Sequence, residues 1–259
     1  GVRGTGMKKK VRIGLLALFV VIFAVSAVMM ARQGMQYQKN EELQKSAREV
    51  AELPLAKPGL ESLAELDPHA AVLAEIDLAA LQEVNSDVIG WISIPDTQMS
   101  YPVLQGEDNH YYLDHAWNKE YNAAGSVFLE STNSADLSDY HTLVYGHRMR
   151  NGSMFGMLRD YDKLDFWREH PSVYLVTEDY VYRYDIFAAY QAGVREIVYW
   201  LDLTGREEAL IQYCLEHTVL DTGITPSPEE RLLTMSTCTG NGYEKRWVVQ
   251  GVLRGEYGR

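Results

Sequence analysis

From Asp87 onward the chain is a succession of short apolar runs separated by turns, and this pattern restricts the folds open to it more than any other feature. The runs are VIGWISI (88–94), YPVLQ (101–105), GSVFLE (125–130), HTLVYG (141–146), SVYLVT (172–177), YVYRYDIFAAYQAGV (180–194), RLLTMST (231–237) and RWVVQGVL (246–253). All are rich in β-branched and aromatic residues, so each is predicted as a strand. Eight short strands in succession fit a closed or nearly closed barrel better than an open sheet. Helical patches interrupt them at SMFGMLRDY, LDFWREH and GREEALIQYCLEH, the last inside a long connection from Arg195 to Glu230. A connection of that length forms either a rim of a binding site or a packing element. The fold class is therefore mostly β with added helices, an α+β protein.

The N-terminal part has a different texture. Lys8, Lys9, Lys10 and Arg12 precede an uncharged run of nineteen residues, Ile13 to Ala31. That length suffices for a helix to cross a bilayer core, and the basic cluster predicts the N-terminus inside and the bulk of the protein outside. Val25-Ser26-Ala27 loosely resembles a signal-peptidase site, but cleaved signals have shorter apolar regions, and an uncleaved anchor is the expectation. GVRGTG, ahead of Met7, is set apart from the fold. The expected organisation is a basic cytoplasmic tail at 1–12, a transmembrane anchor at 13–31, a helical stalk at 32–74 and a catalytic domain at 75–259. The stalk is rich in Ala, Glu, Leu and Lys and is broken by Pro54, Pro58 and Pro68. Beyond it, IDLAALQEVN (76–85) has helical apolar spacing suited to packing on the domain that follows.

Charge narrows the range of partners. Of the 24 basic side chains six lie in residues 1–32, which hold no acidic ones, leaving 18 against 36 acidic and a net of −18 for the remainder. A domain so acidic is a poor binder of nucleic acid or anionic lipid through its general field. No acidic run reads as a calcium cluster, and the expectation is no metal and no cofactor.

Cys214 and Cys238 are the chain's two cysteines. They suit a disulfide in an exported protein, although a catalytic Cys238 requires a free thiol. Leu210, Ile211, Cys214 and Leu215 form an apolar helical stripe, which makes Cys214 a small core residue.

Three residue types recur at strand ends: His147 after HTLVYG, Cys238 after LLTMST and Arg246 opening RWVVQG. A thiolate is a strong nucleophile whose pKa a neighbouring base or cation lowers. A histidine titrates near neutrality and can protonate a leaving amine, then deprotonate an incoming one. An arginine keeps its charge and suits holding a carbonyl or a developing oxyanion. These are the parts of acyl transfer through a thioester. Each also has a plainer reading: a structural thiol, a surface histidine, an arginine paired with one of many carboxylates. The other histidines, His69, His110, His115, His141, His170 and His217, carry no motif and read as surface or capping groups. No spacing rule brings His147 and Cys238, 91 positions apart, into one site.

The segment TMSTC resembles the TLxTC signature of sortases, the cysteine transpeptidases of Gram-positive cell surfaces, with Met235 in place of leucine. LVYGHRMRNGSMFGML is similar to the histidine-bearing strand and following helix of class B sortases, and Arg246 falls where the family's strand-borne arginine is expected. NSDVIGWISIPDTQMSYPVLQGEDNHYYLDH resembles the class B approach to the barrel. The likeness spans about Leu78 to Arg254. It implies an eight-stranded sortase-type β-barrel with N-terminal helices and a long helix between strands six and seven, where GREEALIQYCLEH lies. It also implies catalytic His147, Cys238 and Arg246, with Ser236 and Thr237 lining the substrate pocket. The partners implied are a surface or pilin protein bearing a C-terminal sorting signal and an amine from a peptidoglycan precursor or a pilin lysine. The class favours an NPxTN-like or related pentapeptide. Two other readings stand beside it: a secreted cysteine hydrolase of the papain or cell-wall type, and a non-catalytic adhesion module. Papain-like enzymes place the cysteine before the histidine, at a helix N-terminus where the dipole favours thiolate. Here the histidine comes first and turn and strand follow Cys238.

Overall fold

The computed structural model describes residues 4–51, 63, 65–238 and 244–259. Two units are distinguished, Gly1–Glu42 and Leu43–Arg259. The helix α1, Gly4–Ala51, forms the first of these up to Glu42, and its last turns, from Leu43, belong to the second. From Gly14 to Gln36 every residue on it is solvent-exposed, Phe19, Ile22 and Phe23 included. By length and composition this helix is able to cross a membrane.

All eight segments expected as strands are strands: β1 (Val88–Ser93), β2 (Ser100–Leu104), β3 (Val127–Leu129), β4 (His141–Tyr145), β5 (Ser172–Val176), β6 (Tyr180–Gly193), β7 (Leu232–Cys238) and β8 (Lys245–Gly258). They close into a barrel in the order β1-β2-β3-β4-β7-β8-β6-β5, the first and last pairing through Trp91–Ser93 and Tyr174–Val176. The β2–β3 and β4–β7 pairs are parallel and the others antiparallel. Closure removes the open edges that a sheet of apolar strands would otherwise present.

The barrel interior is filled by side chains from alternate strand positions, among them Ile92, Val103, Val144, Leu175, Leu233, Met235 and Val249. Two further apolar layers lie outside it. One packs Ala47 and Ala51 of α1, with α2 (Pro68–Leu73) and α3 (Leu78–Val84), on Trp91, Tyr174, Val176 and Val181. Leu78 and Leu81 are its buried contacts from α3, as the spacing of IDLAALQEVN predicts. Trp117 fixes the end of α1 by donating from Nε1 to the Leu43 carbonyl at 2.9 Å, and Arg48 donates to the Ser100 carbonyl at 3.3 Å. Asp67 caps α2 through the backbone N–H groups of His69 and Ala70 at 3.1 and 3.0 Å.

The other outer layer belongs to the connection between β6 and β7. A short 3-10 turn at Ile197–Tyr199 leads to α5 (Glu207–His217), after α4 (Leu164–Glu169) earlier in the chain. Leu210, Ile211 and Cys214 of α5 pack on Phe187, Ala188, Ala192, Val248 and Val252. Cys214 is thus a free, fully buried core thiol, as its stripe predicts. The patch SMFGMLRDY is helical at Gly156–Asp162, but as a 3-10 helix.

Candidate active site

The parallel pairing of β4 with β7 answers the question that spacing left open. Register runs from His141 opposite Leu232 to Tyr145 opposite Ser236, so both strands end on the same rim of the barrel. The Gly146 N–H donates to the Ser236 carbonyl at 3.2 Å and carries the pairing one step further. His147 therefore follows directly from the end of β4, while Cys238 is the last residue of β7. On the other flank β8 runs antiparallel, and its register sets Arg246 opposite Cys238. Three residues distant in sequence are brought to one end of three adjacent strands.

The backbone of His147 is fixed from both sides. Behind it, a Cβ on Gly146 would lie 2.7 Å from the Phe155 ring, so only glycine lets the chain pass there. Ahead of it, the segment to Phe155 folds back, and the Phe155 N–H donates to the His147 carbonyl at 3.0 Å. The ring is held as well: Nε2 lies 2.6 Å from the Leu113 carbonyl oxygen. A carbonyl only accepts, so Nε2 carries the hydrogen, and in the neutral ring Nδ1 is the accepting nitrogen. Leu113 ends a 3-10 turn, Tyr111–Leu113, and Ser126 N–H ties that turn down by donating to the Tyr112 carbonyl at 2.9 Å.

A cavity of about 270 Å³ opens at this rim, lined by Asn109, Leu113, Phe128, Tyr145, Gly146, His147, Ser236, Thr237 and Arg246. Four of the five residues singled out in the sequence, His147, Ser236, Thr237 and Arg246, thus line one cavity. The fifth, Cys238, adjoins Thr237 along β7; its side chain lies outside the described residues. Ser236 Oγ is 2.9 Å from Tyr199 Oη. The Thr237 hydroxyl is buried and makes no hydrogen bond among the described residues. Tyr145 donates to Glu130 Oε2 at 2.9 Å, and Asn109 Nδ2 donates to Glu130 Oε1 at 2.6 Å. Burial first, and the Glu130 carboxylate second, hold the Tyr145 phenol far above its ordinary pKa, so it stays neutral and acts as a donor. Among the described residues no group of His, Cys, Asp and Glu is arranged to hold a metal ion.

Sequence reasoning missed Asn109, Leu113, Phe128 and Tyr145. Tyr145 lies two positions before His147; Asn109 and Leu113 reach the cavity through the fold of the β2–β3 connection, and Phe128 reaches it from β3. His141, taken for a surface or capping group, is instead 1% exposed between the barrel and the β6–β7 connection.

Sequence comparison agrees with the geometry. The sortase domain pattern matches residues 92–254, more than half of the chain. Sortase B of Listeria monocytogenes is 37% identical over 183 residues, 68% of this chain and 74% of that protein. The chain belongs to the sortase family. Among solved structures, sortase B from B. anthracis in complex with AAEK1 superimposes with a TM-score of 0.71 at 28% identity, covering 87% of this chain and all of that one. A Staphylococcus aureus sortase B–substrate complex gives 0.68 at 24% identity, over 86% of this chain and 98% of that one, a likeness of fold. The closed eight-stranded barrel with added helices is the sortase B fold. This sortase is a cysteine transpeptidase of the sortase B type, and the papain-like and non-catalytic readings fall away.

Proposed function

We propose that this sortase cleaves the C-terminal sorting signal of an exported protein after threonine and transfers the new carboxyl end to an amine. Cys238 is the nucleophile, His147 the acid and base, and Arg246 the cation that steadies the carbonyl. The observation that supports this most is the parallel β4–β7 pair flanked by β8, which collects the three positions on one rim beside a cavity.

In the first half-reaction the Cys238 thiolate attacks the threonine carbonyl carbon, and the electron pair of the C=O bond moves onto oxygen. The Arg246 guanidinium, unable to lose its proton, stabilises that oxyanion. Collapse re-forms the carbonyl and breaks the C–N bond, with the leaving amine taking a proton from the His147 imidazolium. In the second half-reaction the neutral imidazole removes a proton from the incoming amine, which attacks the thioester carbon and releases the thiolate. With Nε2 held on the Leu113 carbonyl, Nδ1 is the nitrogen that exchanges the proton. Ser236 and Thr237 line the wall against which the peptide lies, the latter with a buried hydroxyl able to serve a peptide group.

Residues 13–31 anchor the protein in the membrane with the basic tail 1–12 inside and the catalytic domain outside; of the segment 32–74 expected as a stalk, Ala47, Ala51 and α2 pack on the barrel and belong with the catalytic domain. The exposed apolar surface of α1 from Gly14 on supports the anchor. The acyl donor is then a surface or pilin protein bearing a sorting signal, and the acceptor a peptidoglycan precursor or a pilin lysine. Cleavage of a pentapeptide library, read by mass spectrometry, tests the reading. Cuts after threonine that vanish in Cys238→Ala are expected, whereas cuts at other residues, or cuts that survive that substitution, contradict it.

A further inference from the structure

The outer face of β4, β7 and β8 carries a polar seam that the chemistry above does not use. His141 Nδ1 lies 3.1 Å from the Trp200 carbonyl oxygen. Since a carbonyl only accepts, Nδ1 donates, and Nε2 of the neutral ring accepts from the Thr234 hydroxyl at 2.7 Å. Thr234 Oγ1 accepts in turn from Gln250 Nε2 at 2.8 Å, and Gln250 Oε1 from Tyr190 Oη at 3.1 Å. Thr234 and Gln250 are cross-strand partners on β7 and β8, both wholly buried.

Around this seam the interface is apolar, with Leu210, Ile211, Leu232, Val248 and Val252 filling it. Polar groups are unfavourable in such surroundings unless each finds a partner. Here each has one, in a single donor-to-acceptor order that ends on Trp200. Apolar side chains of similar size would hold the β6–β7 connection just as firmly but leave it able to slide; hydrogen bonds assign it one position.

That position matters because of the neighbouring residue. Tyr199, immediately before Trp200, sets its hydroxyl 2.9 Å from Ser236 Oγ, and Ser236 lines the cavity. The geometry points to His141 as a positioning residue. By gripping the Trp200 carbonyl it places Tyr199 against Ser236, and so sets the shape of the wall on which the sorting peptide lies. This deepens the function proposed above and rests on Ser236 contacting the substrate.

Two substitutions divide the imidazole. His141→Asn presents an amide N–H near the place of Nδ1 and keeps the bond to Trp200. His141→Gln reaches the place of Nε2 and keeps only the partner Thr234. With a sorting peptide as substrate, His141→Gln is expected to raise KM about fivefold, the order of one hydrogen bond, with kcat held. His141→Asn is expected to stay near the wild-type KM even where the two variants lose equal stability, a contrast that a purely structural role does not produce. Tyr199→Phe, at a half-buried position where folding is not at risk, should raise KM equally. The Tyr199→Phe, His141→Gln double variant should be no worse than either single one.

Equal KM values for the Asn and Gln variants, additive effects in the double variant, or an unchanged KM in Tyr199→Phe would each overturn the inference. Ser236→Ala, measured alongside, separates the possible failures. If it raises KM while His141→Gln does not, the positioning role is wrong and the cavity reading stands. If it leaves KM unchanged, the cavity reading itself fails and takes this inference with it.

Discussion

The carbonyl of Leu113 is the least conspicuous part of the site and one of the most consequential, because it decides which nitrogen of His147 holds the proton. Its own placement depends on Gly125, whose φ of +57° is a left-handed conformation. A Cβ there would stand 2.5 Å from the Tyr112 oxygen and 2.7 Å from the Leu113 oxygen. Gly125→Ala therefore strains the backbone by ~1–3 kcal/mol and pushes on the acceptor that orients the imidazole. A fall in kcat/KM of about tenfold or more is expected, since small misplacements of catalytic groups are costly. Steady-state kinetics at a temperature where the variant remains folded would check it; unchanged kcat/KM would mean that Leu113 does not orient His147. His141 makes a different kind of prediction. Burial, only partly offset by the hydrogen bond to Trp200, lowers its pKa to about 4 from the 6.5 of an open histidine. Between these values the unfolded chain binds the proton and the folded one does not. Stability therefore declines as pH falls from 6.5 to 4, by up to ~3 kcal/mol from this group. Urea midpoints measured across that window should fall for the wild type and more gently for His141→Gln, which has nothing to titrate. Parallel slopes would assign the acid sensitivity to other groups.

Among the elements, the short helix α2 depends on one side chain. Asp67, 4% exposed on its side chain, caps the helix, accepts from Tyr174 Oη at 3.0 Å and Tyr257 Oη at 3.2 Å, and pairs with Arg183 at 3.4 Å. It ties α2 to β5, β6 and β8 together. Asp67→Ala leaves the cap empty and a half-buried guanidinium without one of its partners, a loss of ~2–4 kcal/mol. Chemical denaturation should show it, and a change below about 0.5 kcal/mol, the range of an ordinary surface substitution, would refute the role given to Asp67. The helix α5 gives the next test. Burial pushes the Cys214 thiol up to about 12, so iodoacetamide should leave it unmodified in the folded protein and label it after denaturation. Rapid labelling of Cys214 in the native state would show that α5 lifts off the barrel. The contrast between elements also explains what the sequence made legible. Strands and the stripe of α5 announce themselves by β-branched content and by the spacing of Leu210, Ile211 and Cys214, because burial of one face imposes those patterns. His141 left no such trace. Its burial is satisfied by Trp200 and Thr234, 59 and 93 positions away, and no local pattern encodes partners so remote.

For the whole molecule the decisive fact is topological. Eight strands were readable one by one, and the likeness of TMSTC and LVYGH to sortase motifs supplied the expected site; pairing order was not readable. Closure of β1 on β5 and the parallel contact of β4 with β7 depend on long connections whose sequences do not state where they return. That contact is what turns positions 91 residues apart into neighbours, and Asn109 and Leu113 join the cavity only after the β2–β3 connection has folded over the rim. The chemistry proposed for this rim is acyl transfer through a thioester on Cys238. Intact-mass spectrometry of the protein mixed with a cleavable sorting peptide, sampled before and after adding an amine, tests it most directly. An adduct equal in mass to the peptide's acyl part is expected, mapped to Cys238, absent in Cys238→Ala and discharged by the amine with release of the joined product. Peptide cleavage with no adduct on Cys238, or with an adduct on any other residue, would contradict it.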